Sequence, residues 1–218
     1  MQNMTEKEAK GSILVVCSHS DDQIIGAGGT LAKYASEGKN IYTCILAYGE
    51  SSHPHLKEEV ISSIRVKESI QADKVIGGNG VEFLGVKEGD FSINENVVFI
   101  KDQLKKIIEH QKPNKIFTHS WDDFHPDHRA TYKVVQELIS EMQFKCDCYS
   151  FEIWNPFTAT NSNFPRLVVD ISDTFSTKLK ALKCFKSQKI TLITMIPAVY
   201  IRAFVNGLES NAKYAEVF

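Results

Sequence analysis

The sequence has almost no excess of charge of either sign: 25 Lys and Arg stand against 27 Asp and Glu, a formal net charge of -2. Gripping a phosphate backbone requires a concentrated basic surface, so this balance excludes nucleic acid as the main partner. A disulfide framework is also missing. The five cysteines (Cys17, Cys44, Cys146, Cys148 and Cys184) are odd in number. Cys17 and Cys44 sit in apolar runs where a thiol acts as a small buried hydrophobe, and the spacing of Cys146 and Cys148 matches neither a redox pair nor a zinc knuckle. A reducing, cytoplasmic setting fits this set. Residues 1–10 have no apolar h-region and read as a flexible leader, and no later run reads as long or apolar enough to span a bilayer. No repeat, low-complexity tract or linker divides the chain, so residues 1–218 read as one domain. With 43% hydrophobic residues it has ample material for a core.

What is present alternates. Residues 13–17 form a continuous apolar, β-branched run, the pattern of a strand covered on both faces. A glycine-containing turn (Gly26, Gly28, Gly29) leads to a helix over 30–37, stopped by Gly38 at a C-cap. Strand and helix patterns then follow at 41–47, 56–72, 81–84, 95–110 and 115–118, with a further helix from Pro126. More strands read at 149–153 and 167–171, then a helix over 173–186, and the C-terminal segment reads as less regular. The βαβα order implies an α/β fold, a Rossmann-like open, mostly parallel sheet with helices on both faces. Ligands of such sheets collect at the carboxyl ends of the strands.

Two polar clusters fall at that edge. After the first strand come His19, Ser20, Asp21, Asp22 and Gln23; after the strand at 115–118 come Asp122, Asp123, His125, Pro126, Asp127 and His128. Zinc accepts imidazole and carboxylate ligands, and a catalytic site uses three of them while keeping a position open for water. His19, Asp22 and His128 satisfy that count. Such an ion activates water near neutral pH and polarises a carbonyl, which is amide-hydrolysis chemistry. Asp21 then reads as general base, His125 as stabiliser of the oxyanion or proton donor to the leaving amine, and Asp127 as a group that orients His125 or raises its pKa. Short carboxylates at strand ends also serve as helix caps, and a structural role for Asp127 in the first helical turn stays open. His53 and His55 flank Pro54 in a polar loop, His110 suits a helix C-terminus, and His119 reads as a buried strand-end residue.

These residues resemble the PIG-L (LmbE-like) family of zinc-dependent N-acetylglucosaminyl deacetylases. The family's first motif, His-Pro-Asp-Asp-Glu, stands here as His19-Ser20-Asp21-Asp22-Gln23, and its second, His-Pro-Asp-His, as His125-Pro126-Asp127-His128. The likeness continues through Gly28-Gly29-Thr30, Tyr48-Gly49-Glu50, Arg65 to Glu68, Asp170-Ile171-Ser172, Lys178, Ser187-Gln188 and Tyr214-Ala215-Glu216. It implies His19, Asp22 and His128 as ligands of Zn2+ (or another divalent ion such as Fe2+), Asp21 as base, and His125 assisted by Asp127 as acid or electrostatic catalyst. It further implies that Arg65, Glu50 and Asp90 face the sugar of a small N-acetyl amino-sugar conjugate. Ser20 and Gln23 depart from the pattern, and Gln23 removes one negative charge beside the loop. Oligomeric state, a homo-oligomer included, is left open. The rival readings are a non-catalytic carbohydrate-binding protein, suggested by Gln23, and a nucleotide-binding module, suggested by Gly26 to Gly29. Retention of Asp21 and His125 argues against the first. Acidic residues where a dinucleotide fingerprint places its turn argue against the second.

Overall fold

The computed structural model describes residues 11–50, 55, 57–153 and 165–218. The leader at 1–10, His53 and the helix start expected at residue 56 lie outside the described residues. β1 (Ser12–Cys17) is buried over its whole length, because each face of the strand meets its own core. Ile13, Val15 and Cys17 enter one hydrophobic cluster and Leu14 and Val16 the other, as the two-residue period of a strand requires. β2 (Asn40–Ile45) pairs parallel on one side and β4 (Lys115–His119) on the other. Outside them lie β3 (Gly80–Phe83) and β5 (Asp147–Phe151), also parallel, giving the order β3-β2-β1-β4-β5.

Helices cover both faces. α1 (Asp22–Ser36) and α2 (Glu58–Ile76) pack on the face of Ile13 and Val15, through residues such as Leu31 and Ala72. α3 (Asn94–Gln111) and α4 (Pro126–Met142) pack on the opposite face through Ile100, Leu104, Val134 and Leu138. The chain proceeds outward from β1 to β3, then returns through α3 to β4 on the far side of β1. That reversal makes the gap between the carboxyl ends of β1 and β4 a topological switch point, where open sheets of this kind hold their ligands.

Three expectations are corrected. Gly26, Gly28 and Gly29 are not a turn: α1 already starts at Asp22 and carries them in its interior. A Cβ on Gly26 would overlap the Phe151 ring, and one on Gly29 would come within 2.7 Å of Ile171, so these glycines trade helix propensity for close approach of neighbouring elements. The C-terminal part is regular: α5 (Phe175–Leu182), shorter than the helix expected over 173–186, is followed by a 3-10 turn and the 21-residue α6 (Lys189–Glu209). The segment Lys186–Glu209 is long and apolar enough to cross a membrane by length and composition, contrary to the expectation from sequence. Its inner residues Leu192, Met195, Val199 and Ala203 are nevertheless buried in the core that contains α1.

β6 (Val168–Asp170) and β7 (Ala215–Val217) form a separate antiparallel pair. From it Glu216 reaches α1 and accepts the amides of Gly29 (3.1 Å) and Thr30 (2.7 Å). Lys178 of α5 donates to Glu216 (2.6 Å) and to the Ile25 carbonyl (2.7 Å). The buried ion pair is thus saturated with hydrogen bonds, the condition under which such pairs are tolerated.

Gly26→Ala tests the packing. Overpacking against a rigid ring costs about 1–3 kcal/mol, partly offset by the roughly 1 kcal/mol that Ala gains over Gly in a helix. The urea midpoint should fall with an unchanged m-value; a rise would show that Phe151 moves aside freely.

Candidate metal centre

The two polar clusters meet at the switch point because the loops that carry them are tied together. Beyond β1, the Ser18 amide donates to His119 Nε2 at the end of β4 (3.0 Å), and Ser18 Oγ lies 2.8 Å from Thr131 Oγ1 of α4. Asp21 is the N-cap of α1, and its carbonyl accepts the amides of Ile24 and Ile25. Asp22, in the first turn, reaches back to accept the His19 amide at 2.7 Å. The second loop is held by Asp123, whose carboxylate accepts the amides of His125 (2.9 Å) and Ile153 (3.1 Å). Arg129 closes it from below by donating to the carbonyls of Asp123 (2.6 Å) and Phe124 (2.8 Å). Pro126 starts α4, and His125 caps it, its Nδ1 accepting the Asp127 amide at 3.2 Å.

Donor atoms converge between the loops. His19 Nδ1 lies 3.4 Å from Asp22 Oδ2 and 3.3 Å from His128 Nε2, and Asp22 Oδ2 lies 3.5 Å from His128 Nε2. Ligands about 2.0–2.2 Å from a tetrahedral zinc stand roughly 3.3–3.6 Å apart, so this triangle has the size of one face of such a site. Two other groups of three are close enough to share an ion: His19, His125 and Asp127, and His119, Asp123 and His128. In the latter, Asp123 Oδ1 is 3.0 Å from His128 Nδ1, the contact by which a carboxylate orients a ligating imidazole.

The electrostatics suit a cation. Burial works against the ionised form of Asp22, but the facing rings of His128, His119 and His19 outweigh it and hold the carboxyl well below its usual range. Burial also opposes a charge on His19, yet Asp127 Oδ2, 3.4 Å from its Nε2, and Asp22 raise it to about 10. Carboxylates that draw a proton onto an imidazole this strongly draw a metal ion in its place, since the two compete. Burial and then the nearby His128 bring His119 down to about 4. It is therefore neutral, with Nε2 accepting the Ser18 amide and the ring stacked on His128 at 3.9 Å.

Asp21 is buried, which raises its pKa against the opposing charge of Arg65. Arg65 Nη2 stands 3.5 Å from Asp21 Oδ1; its Nε and Nη1 are buried without a hydrogen-bond partner among the described residues. Asp127, expected to act on His125, turns its carboxylate instead to His19 and to the Gly89 amide (3.1 Å), leaving only its backbone N–H for His125. Burial and the rings of His128 and His19 lower the His125 pKa. Neutral, with Nδ1 accepting, this ring carries its proton on Nε2. Glu50 accepts the Glu88 amide at 3.0 Å, and the described contacts of Asp90 run through its backbone. Gln23 is buried, with Oε1 accepting from Cys17 Sγ at 3.7 Å. Asp123 and the contact of His119 with Asp22 (3.3 Å) were not assigned from sequence. A carboxylate two residues before His125 was the available signal for Asp123.

Both the sequence and the fold have known relatives. The sequence model of the PIG-L family, described as GlcNAc-PI de-N-acetylase, matches residues 14–139. The chain is 29% identical over 184 residues to a probable N-acetyl-alpha-D-glucosaminyl L-malate deacetylase 2 of Bacillus cereus, covering 81% of this chain and 83% of the relative. It is 24% identical over 197 residues to a 4-oxalmesaconate hydratase of Pseudomonas putida, covering 82% and 74%. Among solved structures, N,N'-diacetylchitobiose deacetylase from Pyrococcus horikoshii superposes with a TM-score of 0.80 at 22% identity, over 97% of this chain and 85% of that one.

Proposed function

The chain belongs to the PIG-L (GlcNAc-PI de-N-acetylase) family, and from that premise we propose that it is a metal-dependent hydrolase removing the acetyl group from an N-acetylated amino sugar. The observation that carries this reading is the triangle of His19, Asp22 and His128 donor atoms, with Asp21 and His125 beside it. These three residues hold the cation, Zn2+ or another divalent ion such as Fe2+. When bound, it supplies a Lewis acid that polarises the acetyl carbonyl and lowers the pKa of water to about 7.

Asp21 takes the proton of the attacking water, a task suited to a carboxylate whose burial has raised its pKa. The Nε2–H of His125 donates to the carbonyl oxygen as it becomes anionic, and the proton that Asp21 took from the water passes to the departing amine as the C–N bond breaks. Asp127 holds His19, and Asp123 holds His128, each through the imidazole nitrogen that lies outside the donor triangle. Arg65 lies on the side of Asp21 that the sugar approaches, and Glu50 and Asp90 face its hydroxyls from the neighbouring loops. We place the whole chain in one such domain, in the cytoplasm, where its five free cysteines stay reduced.

Because one relative is a hydratase, the deciding experiment measures two reactions on one preparation. Metal content is determined, and acetate release from a panel of N-acetylglucosamine conjugates is followed beside hydration of 4-oxalmesaconate. A stoichiometric metal with acetate release supports the proposal. Hydration without acetate release would replace it, and neither metal nor turnover after zinc addition would favour a binding protein.

A further inference from the structure

The outer face of α6 is apolar and uncovered by the described residues. Ile190 (84% exposed), Ile193 (61%), Ile201 (63%), Phe204 (50%) and Leu208 (64%), with the exposed Pro197 midway between Ile193 and Ile201, follow helical spacing, so they form a stripe along one side of a helix about 30 Å long. The opposite side is anchored, through Leu192, Met195, Val199 and Ala203 in the core and through Arg202 Nη2, which donates to the Ile153 carbonyl at 3.3 Å. This helix therefore lies on the protein with half its apolar surface turned outward.

Charge identifies the occupant. The chain as a whole is slightly acidic, yet no Asp or Glu stands between Asp173 and Glu209. That stretch holds Lys180, Lys183, Lys186 and Lys189, all exposed and leading directly into the apolar stripe; none makes an ion pair among the described residues. Lysines beside the exposed apolar face of a surface helix are the pattern of a helix lying in the interface of an anionic membrane. Pairing with a second copy would instead bring two lysine-rich segments into one assembly.

We propose that α6, with the lysines that precede it, docks the protein peripherally on an anionic lipid surface. Both parts contribute: the lysines supply long-range attraction that salt screens, and the isoleucines and Phe204 enter the boundary between headgroups and acyl chains.

The test is co-sedimentation of the metal-loaded full chain with phosphatidylcholine vesicles, with and without phosphatidylglycerol, at low and high salt. The expected result is binding to the anionic vesicles at low salt, weakened by salt and at least tenfold weaker on neutral vesicles, on the order expected for several lysines. Lys183→Gln with Lys186→Gln should weaken it about thirtyfold, roughly fivefold per lysine. Ile201→Ser with Phe204→Ser, at exposed positions that leave the fold intact by circular dichroism, should abolish sedimentation. Each double variant should keep wild-type turnover of a small soluble substrate. Absence of binding at low salt, or binding unaffected by both double variants, would overturn the proposal. So would a dimer in light scattering that Ile201→Ser with Phe204→Ser dissociates while vesicles are ignored, since a second copy would then cover the face.

Discussion

Replacing His128 with alanine is expected to remove the metal and reduce turnover at least a thousandfold, since the Lewis-acid contribution of several kcal/mol goes with it. His128 is almost fully buried and contributes one corner of the donor triangle. Two ligands, His19 and Asp22, do not fix an ion with an open position for water. The variant also frees the face of the His119 ring and one oxygen of Asp123, so loss of fold must be separated from loss of metal. Asp123→Asn makes that separation. It keeps the shape and one accepting oxygen, gives up one of the amides that the carboxylate accepts, weakens the contact to His128 Nδ1, and should lower metal affinity about 10–100-fold without emptying the site at saturating zinc. Metal titration of the chelated proteins, with circular dichroism as the control for folding, reads both. A folded His128→Ala protein that still binds a stoichiometric metal would show that the ion uses another of the neighbouring groups, such as His19, His125 and Asp127.

The parts legible in the sequence were those set by local pattern. The unbroken apolar run from Ile13 to Cys17 announced a strand buried on both faces, and helices between such strands announced parallel pairing. That topology alone brings His19 and His128, more than a hundred residues apart, to one edge. Tertiary demands decided what the pattern hid. Gly26, Gly28 and Gly29 look like a turn because glycine disfavours helices, but the close approach of Phe151, Lys178 and Ile171 requires them there. In α6 both faces are apolar, so no polar stripe marks its period, and the helix carries Pro197 in its interior. The carboxylate of Asp127 was assigned to its sequence neighbour His125, whereas the fold presents it to His19. Asp123 shows the same limit, since its partners His128, in α4, and Ile153, just beyond β5, come from separate parts of the chain.

Asp21→Asn should lower kcat by about a hundred- to ten-thousandfold, the usual contribution of a positioned general base, while metal content stays at the wild-type level. Asparagine rather than alanine is the informative change because of Arg65. That guanidinium is 3% exposed and its only described ion pair is with Asp21, at 3.5 Å. Alanine would leave it buried and unpaired, a penalty of about 3–5 kcal/mol that would confuse folding with catalysis. Asparagine retains an oxygen for Arg65 and fits the same space, but its amide cannot accept a proton from water. A large fall in kcat with an unchanged KM and an unchanged stoichiometric metal would identify Asp21 as the group that takes the proton. Near-normal kcat with a lowered denaturation midpoint would instead reduce Asp21 to an anchor for Arg65, and proton removal would pass to another carboxylate of the centre, of which Asp127 is the remaining one in contact with His19.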